Sequence, residues 1–284
     1  MMMMMHFRGE ATSRARRYLA AGSALLLALG GAIAAFAQPD AVLRDFEPTS
    51  EYRLWVAGKE VPKAEVYDSQ VAGAYLIVSS AFASPVLLGK RSLSVETVNL
   101  MKVAKQGDGS VDLLADATLD PLGTARVNSD YTEISFAVAG KAASLKAAPP
   151  LLGNHSRADL LSHSPEYARD AAAYKPDPLL LNRLRGQLRD VKIRVFFGSW
   201  CPHCRQMLPR ALKVDEGLAG SKVAFEYYGL PRPPAAWQDA EVVRLGVKGV
   251  PTAIVYVAGR EAGRLSSADF VKVEQSLSSV LEKK

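Results

Sequence analysis

Two cysteines in 284 residues leave this chain without a disulfide framework, because Cys201 and Cys204 are neighbours that can staple nothing distant. It also lacks any long Lys/Arg block or aromatic-studded basic stripe, so nucleic-acid binding has no support. The formal charge of +6 does not alter that, since Arg8, Arg14, Arg16 and Arg17 against Glu10 place +3 of it ahead of residue 38. Residues 38–150 contain no cysteine and no histidine, and their scattered carboxylates nominate no catalytic site. No internal repeat and no low-complexity block is present. What remains is an ordinary globular balance, 49% hydrophobic and 23% charged, over a length that suits two modest cores.

Residues 1–37 read as an export signal: a basic stretch with Arg16-Arg17, an apolar run over residues 19–36, and the small-x-small ending Ala35-Phe36-Ala37. Cleavage is expected after Ala37, ahead of the helix-breaking Gln38-Pro39. The alternative is an uncleaved anchor, the run being close to the lower limit for a bilayer span. Sec and twin-arginine export both remain open. With no cysteine near the cleavage point, a lipid-anchored lipoprotein is not expected.

Residues 38–150 are a succession of short, β-branched-rich runs, among them 52–56, 74–78, 86–88, 93–103, 111–114 and 131–138. Breaks at Gly58, Gly89, Gly107-Asp108-Gly109, Asp120-Pro121, Asn128-Ser129-Asp130 and Gly140 complete the pattern of an all-β module, a sandwich or small barrel. Pro149-Pro150 ends it. Residues 151–189 are a helical connector, with helix starts at Ser164-Pro165 and Asp177-Pro178 and a leucine set, Leu180, Leu181, Leu184 and Leu188, near helical spacing. His155 and His163 lie in it eight residues apart with no thiol nearby, and read as surface residues rather than metal ligands. Residues 190–284 alternate strand and helix and finish with a hairpin and a helix, the signature of an α/β sandwich with a mixed sheet.

The chemistry-bearing segment is Phe196-Phe197-Gly198-Ser199-Trp200-Cys201-Pro202-His203-Cys204. A cysteine between a strand and a helix faces unsatisfied N–H groups and the positive end of the helix dipole, which favour thiolate over thiol. Cys204, one turn on, lies on the same face and can close a small disulfide ring. Cys201 is therefore the expected nucleophile and Cys204 the resolving thiol. His203, a protonatable donor beside the thiolate, would favour the reduced form.

Together with Pro209, five residues past Cys204, and Gly249-Val250-Pro251-Thr252, this segment resembles the active site of the thioredoxin superfamily. Its Cys-Pro-His-Cys quartet is similar to that of the periplasmic DsbA oxidases. The resemblance covers about a third of the chain. It implies a thioredoxin-like C-terminal domain after the all-β module, with Pro251 as a cis-proline, the Val250 backbone free to pair with an extended substrate, and Trp200 covering the site's edge. It also implies an exported, periplasmic thiol–disulfide oxidoreductase that needs no metal or organic cofactor. Protein substrates and a membrane redox partner are the expected partners, with the direction of exchange and the oligomeric state open.

Two positions depart from the family. Only 46 residues separate Cys204 from Pro251, without the helical insertion of DsbA, and Val195 stands where a buried acid usually helps the resolving thiol lose its proton. Glu226 is the candidate substitute acceptor, on the expectation that it points inward. Two other classes are compatible with the motif: soft-metal (copper) handling by the two thiolates and His203, and a redox-switched binding module.

Overall fold

The computed structural model describes residues 43–283, so the leader expected over residues 1–37 lies outside the described residues. Residues 47–147 form strands almost throughout. One antiparallel sheet runs Glu47–Pro48, Glu65–Ser69, Ala74–Val78, Val86–Gly89, Ser94–Val98, Leu119–Thr124; a second runs Arg126–Val127, Glu133–Val138, Lys141–Ala147, Tyr52–Val56, Lys59–Glu60. They pack face to face around Leu54, Tyr75, Ile77, Leu88, Ile134, Phe136 and Leu145. Two sheets facing each other across one core are sandwich geometry, where the sequence left a sandwich and a small barrel open.

Its strands differ in how they are buried, and the sequence shows why. Glu133–Val138 alternates, with Ile134, Phe136 and Val138 buried, as a one-sided strand must. Ala74–Val78 is apolar throughout because its other face is covered too: Ala74 and Leu76 pack with Phe46, Leu87, Val111 and Leu113, beneath the hairpin Val103–Lys105 and Val111–Leu113. The run expected over residues 93–103 is broken into strands Ser94–Val98 and Val103–Lys105, because the Asn99 side chain accepts from Met101 N–H and caps a short turn, Leu100–Lys102. The two-residue hairpins at Ala57-Gly58 and Ala139-Gly140 hold both residues at positive φ, the geometry that matches strand twist; glycine takes it freely and alanine at a cost of about 1 kcal/mol.

The connector is not wholly helical. Gly153–His155 is a strand at the edge of the C-terminal sheet, paired with Val223–Gly229, and three helices follow, Arg157–His163, Glu166–Ala173 and Pro178–Arg185. A Ser156/Asp159 capping box starts the first, and Asp177 caps Leu179 and Leu180 N–H at the start of the third. That third helix stops at Arg185 before Gly186, so Leu184 is buried while Leu188, grouped with it by spacing, is 87% exposed.

The C-terminal sheet has the order Gly153–His155, Val223–Gly229, Val191–Phe197, Thr252–Val257, Arg260–Leu265, with the Val191–Phe197/Val223–Gly229 pair parallel and its other pairings antiparallel. A parallel pair needs a crossover, and the helix Pro202–Leu218 supplies it. Ile193, Val195 and Phe197 face this helix and Val273–Glu282, whereas Phe196 faces Val242 and Ile254 on the opposite side. Among the described residues no helix is long and apolar enough to cross a membrane.

Candidate active site

The strand Val191–Phe197 is buried on both sides, so the chain leaves the sheet at Gly198 and turns at once into a helix. Cys201 is the residue before that helix, with its N–H donating to Gly198 O at 2.9 Å and its carbonyl accepting from Arg205 N–H at 3.0 Å. Pro202 takes the first helical position, where a missing N–H costs nothing. The Cys201 sulfur therefore faces the open N–H groups of the first turn.

The two thiols are free, and their surroundings drive them apart. The Cys201 thiol is lowered to about 6, first by a hydrogen bond from the Cys204 side chain and then, against its own burial, by the N–H groups of Cys204 and His203 and the His203 charge. Burial, followed by the hydrogen bond to Cys201 and its charge, holds Cys204 well above the ordinary thiol range. Cys204 is 0% exposed and Cys201 7%. Gly198 N–H donates to the Cys204 sulfur at 3.5 Å, a contact that stabilises the anion once it forms.

Val250 and Pro251 close the site from the other side. Their peptide bond is cis, and the Cys201 thiol lies 3.8 Å from Val250 O. Thr252 Oγ1 donates to Gly249 O at 2.7 Å and fixes the loop. Trp200 donates its indole N–H to Leu230 O at 2.9 Å and packs into both cores flanking the sheet. Its ring lies so close over Gly198 that a Cβ there would stand 2.4 Å from it, which is why glycine occupies the turn. Pro202 and His203 are exposed and line a cleft of about 790 Å³ with Glu47, Asp68, Glu166 and Arg169.

Glu226 is not part of this arrangement. In Val223–Gly229 the residues Val223, Phe225 and Tyr227 face the helix that carries Cys204, so strand alternation turns Glu226 to the opposite face. There its side chain is 41% exposed and pairs with Lys192 at 2.6 Å. His155 lies against Leu152 O and the Asp159 carboxylate, and His163 is bonded to Ser164 Oγ and Pro149 O. Among the described residues no group of three or more His, Cys, Asp or Glu is arranged to hold a metal ion.

Three residues near the thiols carry no local motif. Arg205, next to Cys204, forms an ion pair with Glu51 of the sandwich, and its charge favours ionisation of Cys204. Tyr167, from the helix Glu166–Ala173, is 1% exposed and shares a core with Cys201, Cys204 and Val195. Adjacency to Cys204 was the available signal for Arg205; Glu51 and Tyr167 arrive through tertiary packing alone.

No family model and no curated protein matches the sequence. Among solved structures the chain is similar to an HIV epitope-scaffold, at 14% identity over 45% of this chain and 92% of the other, with a TM-score of 0.37. A protein of unknown function from Pseudomonas aeruginosa matches at 12% identity over 45% and 84%, with a TM-score of 0.34. Thioredoxin f from spinach chloroplast matches at 20% identity over 32% and 71%, with a TM-score of 0.26. The C-terminal unit is a mixed five-stranded sheet flanked by helices on both faces. The activity has to be read from the two sulfurs and what surrounds them.

Proposed function

We propose that this protein is an exported thiol–disulfide oxidoreductase that exchanges disulfides with protein substrates through Cys201 and Cys204. The observation that carries the reading is the opposed tuning of two neighbouring thiols, one lowered to about 6 at a helix N-terminus and the other raised by burial. With a pKa about 6, roughly nine-tenths of Cys201 is thiolate at neutral pH.

In the reducing direction the Cys201 thiolate attacks a substrate disulfide, a mixed disulfide forms, and the first substrate sulfur leaves as thiolate. Cys204 then gives up its proton and attacks the Cys201 sulfur. The Cys201–Cys204 bond forms, the bond to substrate breaks, and two electrons have passed from the protein pair to the substrate. The oxidising direction is the reverse. Stabilising the Cys201 thiolate stabilises the reduced form and so makes the disulfide a better oxidant. A membrane redox partner would reset the pair, and the Val250 backbone would hold the substrate segment against Cys201.

The test is trapping with Cys204→Ser. A substrate protein should remain covalently bound to Cys201 and be released by added dithiol, and no adduct should form with Cys201→Ser. Absence of any adduct, or equal trapping by both variants, would sink the reading. The midpoint potential of the pair then fixes the direction.

A further inference from the structure

Cys204 has to ionise inside an apolar core, and the groups expected to help it are missing. Val195 is fully buried and apolar, and Glu226 lies on the opposite face of the sheet. The Gly198 N–H is the donor that reaches the sulfur directly. In the same core lies the Tyr167 hydroxyl, fully buried and without a hydrogen-bond partner of normal geometry, with the Ser164 hydroxyl close by. Buried hydroxyls are nearly always paired, because leaving one unpaired costs stability, and an exception calls for a reason.

The helix Glu166–Ala173 packs on Pro202–Leu218 and places Tyr167 in the core that contains Cys204. Resting on the oxidoreductase reading above, we propose that Tyr167 is the hydrogen-bond donor that receives the Cys204 sulfur when it becomes an anion during resolution of the mixed disulfide. The hydroxyl is idle in the dithiol, where Cys204 is a neutral thiol and a poor acceptor, and it is engaged when charge develops on that sulfur. Tyr167 keeps its proton throughout. The Cys204 proton is lost to solvent, the Cys204 sulfur bonds to Cys201, and the Cys201–substrate bond breaks to release the substrate sulfur as thiolate. Burial, and next the charge of Cys204 itself, push the Tyr167 phenol far up, consistent with a donor that never ionises. Arg205, paired with Glu51, is close enough for its charge to favour the Cys204 thiolate.

The experiment is rapid mixing of the reduced protein with a chromogenic aromatic disulfide, in wild type and Tyr167→Phe. The first thiolate released reports attack by Cys201 and the second reports resolution by Cys204. Tyr167→Phe should leave the first phase unchanged, slow the second by about tenfold, and move its pH midpoint upward. Phenylalanine fills the same volume, so the melting temperature of the dithiol should be equal or higher. Unchanged second phases, equal slowing of both phases, or a lowered melting temperature would overturn the proposal, the last by showing that the hydroxyl already has a partner. A wild-type protein that releases neither thiolate would instead overturn the oxidoreductase reading on which this one rests.

Discussion

In the sandwich, Ala74–Val78 is buried on both faces and hands the chain to turns that return it antiparallel; in the C-terminal unit, Val191–Phe197, exposed at Lys192 but buried on both faces at its end, continues into a parallel crossover. Antiparallel returns leave few backbone groups open at a strand end. A crossover places a long helix beside the sheet, with unsatisfied N–H groups at its start. The same packing rule thus yields strand ends closed by turns in one half and, in the other, a strand end that delivers Cys201 to a helix N-terminus.

Substitutions in the two cores sharpen this most strongly. Leu54→Ala in the sandwich and Leu208→Ala in the redox helix, both almost fully buried, should each cost about 2–5 kcal/mol in denaturant unfolding. Only Leu208→Ala, four residues past Cys204 on the same helical face, should also change the disulfide exchange rate. Equal rate changes from both would break the distinction.

A smaller effect should follow pH. Alkylation of Cys201 by iodoacetamide should rise through a midpoint near 6 and level off above it. Because the folded value lies below the unfolded one, the stability this thiolate lends the dithiol form is complete above the unfolded value near 9 and is lost as pH falls through about 6. The disulfide form should lack that dependence, which makes the difference between the two melting curves the measurement. The smallest effect is reserved for Glu226→Gln: loss of an exposed pair with Lys192 should change stability by less than about 1 kcal/mol and leave exchange rates untouched.

The features legible in the sequence were those written into consecutive residues. Tyr52–Val56 and Ala74–Val78 are strands because β-branched and aromatic runs end at turn residues, and the thiol pair, Trp200 and the Val250-Pro251 loop are local patterns. Gly153–His155 was illegible as a strand, since Gly, Asn and His have little strand preference and only the sheet edge recruits them. The inward expectation for Glu226 failed on parity: with Val223 and Tyr227 buried, period two sends residue 226 the other way. Tyr167 and Glu51 lie 37 and 153 positions before Cys204, and no spacing rule links them to it.

The pairing of Glu51 with Arg205 ties the sandwich to the residue that follows Cys204. Ser50 reinforces the tie by donating to the Glu166 carboxylate, one residue from Tyr167. Any force that levers the sandwich aside would strip a counter-ion from Arg205 and alter the electric field at the inner sulfur. The β half is thereby coupled to the surroundings of Cys204 through side chains that lie outside the thiol pair.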